Sequence, residues 1–116
     1  MVKYKVIFHI DEMDKWELVL GNVSNLLNAI GNKSYSVEVL ANAEAVKYYD
    51  TSQKLVSNNS KIEKLNEKGV KFVACNNALN AHKIEPSNIM NHVSVVPAGV
   101  LELVEKQSEG YAYIRP

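Results

Sequence analysis

The sequence is poor in the residues that several common kinds of chemistry require. Among its 116 residues it has a single cysteine, Cys75, and a single arginine, Arg115. One cysteine cannot form an intramolecular disulfide, a cysteine-based zinc site or a dithiol pair of the Cys-x-x-Cys kind. A phosphatase or rhodanese loop is excluded as well, because both hold an oxyanion with an arginine shortly after the cysteine. No arginine lies between Asn76 and Lys83.

Neither sign of charge is in excess. Lys and Arg together number 13, and so do Asp and Glu, so the formal net charge is zero. A surface that binds nucleic acid or an anionic membrane needs surplus cations to neutralise phosphates, and we therefore expect neither partner. The three histidines show no metal-ligand spacing and no glycine-rich nucleotide fingerprint occurs, so we predict no metal and no cofactor.

Long hydrophobic runs are also missing. The N-terminal apolar run is too short for a signal-peptide core and is followed by no small-residue cleavage site. The most apolar later stretch, residues 93–104, is interrupted by Pro97, Gly99 and Glu102, so we predict no membrane-spanning segment. Together these features favour a cytoplasmic location.

The composition that remains is typical of one globular domain. Hydrophobic residues make up 47% of the sequence and charged residues 22%, which is a normal globular balance. A chain of this length buries about two thirds of the surface that its unfolded form exposes. We therefore predict a single domain over residues 1–116 whose core needs no disulfide.

Five segments rich in β-branched and aromatic residues predict strands, and the segments between them predict helices. The first strand lacks polar alternation, which is typical of a strand buried on both faces. Alternating strands and helices predict a mainly parallel five-stranded sheet with helices on both faces, an α/β three-layer sandwich. The predicted strands are Tyr4–Ile10, Tyr35–Ala41, Val70–Cys75, Val93–Val96 and Tyr111–Ile114.

The clearest helix lies over Trp16–Ile30, where apolar residues recur at three- and four-residue steps. Asp14 is its predicted N-cap and Gly31 its end. The polar segment Asp50–Ser60 predicts a surface loop or a frayed helix. The remaining predicted helices are Ala43–Tyr49, Lys61–Lys68, Asn76 to about His82, and a last helix that opens at Gly99 and carries Val100, Leu103 and Val104 on one side.

Residues able to do chemistry follow several of the predicted strands. In an open parallel sheet, ligands bind beyond the carboxyl ends of the strands. With the common strand order 2-1-3-4-5, strands one and three are neighbours about 4.8 Å apart, which would bring His9 and Cys75 within side-chain reach. The sequence leaves open whether both point to the same side of the sheet. The residues at these strand ends are His9, Asn42, Cys75, Asn76, Asn77 and Gly99.

Cys75 has two interpretations at this stage. It precedes a predicted helix, where unpaired backbone N–H groups and the positive end of the helix dipole favour a thiolate, the form that acts as a nucleophile. A free cysteine in a strand equally often packs as a small buried hydrophobe. The role of His9 also has two interpretations, because a histidine at a strand end often only forms a hydrogen bond to a loop.

Three parts of the sequence are distinctive: Val6–Glu12 (VIFHIDE), Gly69–Asn77 (GVKFVACNN), and the ending with Val96–Val100 (VPAGV) and Gln107–Pro116 (QSEGYAYIRP). Together they resemble the DsrE/DsrF-like family, also called YchN-like, and the resemblance extends over essentially the whole chain. It implies a flavodoxin-like fold, assembly as a homotrimer or hexamer, and intracellular sulfur transfer with the sulfur carried as a cysteine persulfide. Cys75 is similar to the sulfur-accepting cysteine of the family, and His9 and Asn42 resemble polar residues that line the same pocket.

Two hypotheses about function follow. In the first, the protein is a persulfide carrier in which Cys75 holds the sulfur, His9 handles a proton and the backbone N–H groups of Asn76 and Asn77 stabilise the sulfur anion. Its partners would be a sulfur donor and a sulfur acceptor protein. In the second, a non-catalytic oligomeric module binds a small anion or metabolite in a pocket that includes Gly99, and Cys75 only packs. An accessory subunit that recruits another protein is a third reading.

Overall fold

Five parallel strands form the centre of the molecule. The structure is a computed structural model that describes residues 2–52 and 56–116, with side chains in the second range from residue 60 onward. All four strand pairings are parallel, which confirms the predicted α/β class. The strands are β1 (Tyr4–Ile10), β2 (Tyr35–Ala41), β3 (Lys71–Cys75), β4 (Val93–Val96) and β5 (Ala112–Ile114).

The order of the strands differs from the expected one. It is β4-β3-β2-β1-β5, so β2 separates β1 from β3 and the expected pairing of strands one and three is wrong. The first three connections all step in the same direction across the sheet. The last one returns across it to place β5 beside β1. Residues at the ends of β1 and β3 are therefore two strand spacings apart, about 10 Å.

The helices agree with the sequence predictions except at the N-terminal ends of two of them. The segment 50–60, predicted as a surface loop or a frayed helix, is helical from residue 56, in the helix that continues to Glu67. Residues 53–55 lie outside the described residues. Asp14 lies inside a 3-10 turn, and Lys15 occupies the N-cap position of the first helix without a side-chain capping hydrogen bond. The helices are α1 (Trp16–Ile30), α2 (Val56–Glu67), α3 (Asn76–Ala81) and α4 (Gly99–Ser108), with 3-10 helices at Met13–Lys15, Ala43–Tyr49 and Pro86–Asn88.

None of the helices in the described part of the chain has the length and apolar character that crossing a membrane would require.

One face of the sheet carries the main core, and Trp16 lies at its centre. The indole ring stacks on Tyr48 at a centroid distance of 4.4 Å and meets Tyr49 edge-on at 5.3 Å. Its Nε1–H donates to the carbonyl oxygen of Ala45 at 3.0 Å. These contacts join the start of α1 to the 3-10 helix Ala43–Tyr49, and so they hold the chain that follows β2.

The opposite face is covered, among the described helices, by α4 alone. Right-handed crossovers put α1, α2 and α3 on one face, and a connection that runs back across the sheet must put its helix on the other. Leu103 packs there on Ile7, Leu40 and Val73. The helix does not, however, turn its apolar side to the sheet, since Val100 is 68% exposed, Leu101 52% and Val104 55%.

Candidate functional site

The carboxyl ends of β1, β2 and β3 meet at one edge of the sheet. Ala41 of β2 pairs with Ala74 of β3, so Asn42 and Cys75, the next residue in each chain segment, lie side by side at this edge. His9 pairs with Leu40, and Leu40 pairs with Val73 two residues before Cys75. Because side chains alternate along a strand, His9 and Cys75 lie on the same face of the sheet, the face covered by α4. Asn42 stands between them.

Cys75 lies between the first turns of two helices. It is the N-cap residue of α3, with an extended backbone, and it is only 6% exposed. The first residue of α4, Gly99, packs against it: a Cβ added there would be 3.2 Å from the Cβ of Cys75 and 3.4 Å from that of Asn42. The glycine therefore allows the N-terminus of α4 to close over the cysteine.

His9 and Asn42 belong to a hydrogen-bonded chain that ends at Tyr113. The Nε2 atom of His9 is 3.0 Å from Oδ1 of Asn42, and Nδ1 is 2.7 Å from the Tyr113 hydroxyl. Since Oδ1 can only accept, Nε2–H is the donor, and Nδ1 of the neutral ring accepts the proton of Tyr113. The sequence reasoning missed Tyr113, although a tyrosine two residues after Tyr111 in the last strand was a visible signal.

The backbone that follows Asn42 is tightly held. The backbone N–H of Asn42 donates to the carbonyl oxygen of Ile10 at 3.0 Å, and the carbonyl oxygen of Asn42 accepts the N–H of Ala45 at 3.1 Å. Ala43 has a φ of 49°, a left-handed conformation that is uncommon for a residue with a side chain. Such strain persists only where the surroundings enforce it, and it often lies at functional sites.

Asn76 and Asn77 are the first two residues of α3. The side chain of Asn76 is partly buried and that of Asn77 is exposed. Backbone N–H groups in the first turn of a helix have no partner within the helix, so those of Asn76 and Asn77 are free of intrahelical bonds next to Cys75.

A buried carboxyl group on the same face was not singled out from the sequence. Glu38 is 3% exposed, and its Oε2 has no hydrogen-bond partner among the described residues. Burial, and then the hydrogen bond and negative charge of Glu102 on α4, raise the pKa of Glu38 to about 8, while Lys106 and Lys71 oppose the shift. The available signal was a glutamate in the middle of an otherwise buried strand.

A cavity of about 290 Å³ lies between α1 and α2, with Lys61, Lys64 and Lys68 along one wall. Its apolar lining residues Leu20 and Leu65 belong to the two helices, and none of its lining residues lies at the carboxyl edge of the sheet. Within residues 2–52 and 56–116, no group of three or more His, Cys, Asp or Glu side chains could hold a metal ion.

The fold and the site define a small parallel α/β domain with one cysteine at the carboxyl edge of its sheet. The sequence profile of the DsrE/DsrF-like family matches residues 16–116, and the chain belongs to that family. The predicted family is thereby confirmed.

Two solved structures are similar over nearly the full chain. A protein of unknown function from Methanobacterium thermoautotrophicum, MTH1491, is 34% identical with a TM-score of 0.88, and the alignment covers 98% of this chain and 100% of that one. The YchN protein of E. coli is 13% identical with a TM-score of 0.82, covering 97% and 99% of the two chains, and shows a shared fold. No curated protein matches the sequence.

Proposed function

We propose that this protein is a persulfide carrier that acts in intracellular sulfur transfer, with Cys75 as the sulfur-bearing residue. The observation that carries the proposal is the position of Cys75 at the carboxyl edge, between the first turns of α3 and α4 and beside the His9–Asn42 pair. Partial positive charge at helix N-termini stabilises an adjacent anion. Membership of the DsrE/DsrF-like family supports the same role.

The transfer needs no external oxidant or reductant. The Cys75 thiolate attacks the outer sulfur of a donor persulfide, R–S–SH; a new S–S bond forms as the donor S–S bond breaks, and the donor leaves as R–S⁻. Cys75 then carries the sulfur as Cys–S–SH. An acceptor thiolate attacks that outer sulfur in turn, which yields the acceptor persulfide and restores the Cys75 thiolate. Donor and acceptor would be proteins of the same cytoplasmic compartment.

The hydrogen bonds favour a positioning role for His9. Both of its ring nitrogens are engaged, one by Tyr113 and the other by Asn42, so the neutral ring has no free nitrogen for a proton from the thiol. Its contribution is to hold the Asn42 side chain at the edge where Cys75 lies. The backbone N–H groups of Asn76 and Asn77 would stabilise the charge of the persulfide anion.

Intact mass spectrometry after incubation with a low-molecular-weight persulfide tests the proposal. We expect a mass increase of one sulfur atom, removed by a thiol acceptor or reductant. Cys75→Ser is the matched control and should show no increase. An unmodified wild-type chain, or an equal increase on the serine variant, would contradict a carrier role.

The burial of Cys75 favours a second candidate, a non-catalytic module in which the cysteine only packs. A residue that is 6% exposed leaves little of its surface open to a reagent. In that case a small anion would bind at the first turn of α4, beside Asn42. Failure of a thiol reagent to label Cys75 without denaturant, together with the absence of sulfur loading, would support this alternative.

We also propose that the protein is a homo-oligomer, a trimer or hexamer, with the outer face of α4 in its interface. That face presents Val100, Leu101 and Val104 to solvent, whereas the side of the helix toward the sheet carries Glu102 and Lys106. An apolar outer face and charges on the inner one are the reverse of a normal surface helix. A second copy of the chain would bury this patch.

Replacing Leu101 by glutamate should convert the oligomer to monomer, because a carboxylate would be buried in an apolar contact. Light scattering coupled to size exclusion measures the change in mass. Leu18→Glu on α1 introduces the same charge at a residue that is also about half exposed, and should leave the oligomer intact. A monomeric wild-type protein at tens of micromolar would contradict the assembly.

A further inference from the structure

The hydrogen-bonded chain from Tyr113 to Asn42 has a direction. The Tyr113 hydroxyl donates to Nδ1 of His9 at 2.7 Å, and Nε2–H of His9 donates to Oδ1 of Asn42 at 3.0 Å. A neutral imidazole has one donor and one acceptor nitrogen, so a phenol that donates to Nδ1 fixes the ring proton on Nε2. Because Nε2–H needs an acceptor, the amide of Asn42 must turn Oδ1, and not Nδ2, toward the ring.

Strand β5 holds Tyr113 beside the histidine. It pairs with β1 and sets Tyr113 opposite Ile7, two residues before His9, so both rings lie on the same face of the sheet, with their centroids 5.7 Å apart. After β5, Arg115 donates to Oδ2 of Asp11 at 2.8 Å and so ties the last residues to the end of β1. In the described part of the chain, the Tyr113 hydroxyl has Nδ1 of His9 as its only hydrogen-bond partner.

The amide nitrogen of Asn42 is the last donor of this chain. Nδ2 forms no hydrogen bond with any other described residue, and it is open to solvent. It points away from His9, because the nitrogen and oxygen of an amide diverge from the same carbon. Since β2 lies between β1 and β3, the side away from His9 is the side of Cys75. A Cβ on Gly99 would be 3.2 Å from Cβ of Cys75 and 3.4 Å from Cβ of Asn42, so both side chains start beside the same point.

We infer that Tyr113 is a positioning residue: through the ring of His9 it holds the amide of Asn42 so that Nδ2–H is directed at the sulfur anion of Cys75. This role deepens the proposed function and rests on it, because a thiolate or persulfide sulfur needs hydrogen-bond donors, and bonds to an ion are the strong ones. Without the tyrosine hydroxyl, Nδ1 can carry the ring proton. Nε2 then accepts a hydrogen bond from Nδ2, and the amide turns its oxygen toward the sulfur.

Nitrogen-15 NMR of the imidazole ring at about pH 8, above the ordinary titration range of histidine, tests the positioning. In the wild type we expect the proton of His9 on Nε2 alone. Tyr113→Phe keeps the aromatic ring but lacks the O–H, and its shifts should move toward protonation of both nitrogens. Tyr111→Phe is the matched control, because that hydroxyl lies 2.6 Å from the hydroxyl of Ser36 instead, and it should leave the tautomer unchanged. A wild-type ring protonated on Nδ1, or an unchanged tautomer in Tyr113→Phe, would overturn this role.

The ratio of thiolate to thiol at Cys75 shows whether the amide acts on the sulfur. The carbon-13 shift of its Cβ follows ionisation and needs no reagent to reach the buried thiol. At the pH where half of the wild-type thiol is ionised, the ratio should fall about tenfold in Asn42→Leu, which has a similar size but no donor. It should fall about twofold in Tyr113→Phe, where the amide is turned only part of the time, and stay unchanged in Tyr111→Phe.

An Asn42→Leu or Tyr113→Phe variant with the wild-type ratio would show that the amide does not donate to the sulfur. The two variants are independent, so the test stands if Asn42→Leu folds poorly. Neither measurement involves a persulfide, and failure of sulfur loading is therefore distinguishable from failure of the positioning role.

Discussion

Replacing Trp16 by alanine should lower the free energy of unfolding by about 3–5 kcal/mol, the range for removing a large aromatic side chain from a core. The indole is 1% exposed, stacks on Tyr48 and donates a hydrogen bond to the carbonyl oxygen of Ala45. Its loss leaves a cavity and an acceptor without a donor. Urea denaturation followed by circular dichroism measures the change.

Two control variants separate packing from hydrogen bonding at this position. Trp16→Phe keeps most of the ring but loses the N–H donor, and should cost about 1–3 kcal/mol. Leu18→Ala, at a half-exposed position of the same helix, should change stability by less than about 0.5 kcal/mol. A Trp16→Ala variant as stable as Leu18→Ala would show that the ring does not join α1 to the 3-10 helix Ala43–Tyr49.

The stability of the wild type should fall as the pH rises from about 5 to 8, because of Glu38. Burial and Glu102 raise the pKa of this group from 4.5 to about 8 in the folded protein, so the folded state holds a proton that the unfolded state releases. The stabilisation is complete below pH 4.5, decreases through this window and is lost above pH 8. At about 1.4 kcal/mol per pKa unit, the rise from 4.5 to about 8 corresponds to roughly 5 kcal/mol, and solvent screening lowers the expected contribution to about 3 kcal/mol.

Denaturation at pH 5, 7 and 9 checks this, with Glu38→Gln beside the wild type. The two proteins should be about equally stable at pH 5, and the variant should be the more stable at pH 9. Glu105→Gln on the exposed side of α4 controls for the general effect of removing one carboxylate, and its difference from the wild type should stay small. A constant difference between Glu38→Gln and the wild type across the range would contradict a raised pKa of Glu38 in the folded protein.

The elements of the fold follow from local signals in the sequence. The run over Tyr4–Ile10 and the apolar steps over Trp16–Ile30 appear in the structure with the same bounds, because burial of a strand or of one helix face imposes its period on the residues. Gly31, with a φ of 68°, ends α1 as its type predicts. Where apolar periodicity is weak, as in the polar first turn of α2, the pattern left a loop and a helix open.

The position of Cys75 at a strand end before a helix was equally local, and so the sequence pointed to it. Its neighbours were not local. Tyr113 bonds to His9 although 104 residues separate them in the sequence. Gly99, which follows β4 in the sequence, packs against Cys75 at the end of β3. The spacing of residues carries no information about which strand lies beside which.

The single cysteine, the balanced charge and the alternation of strands and helices thus established the class of fold and one candidate residue from the sequence alone. Strand order depended instead on the direction in which each connection crosses the sheet, a global choice that leaves no mark in local periodicity. That order set β2 between His9 and Cys75. It also put α4 over the buried Glu38, with Gly99 against Cys75 and with Val100, Leu101 and Val104 facing outward.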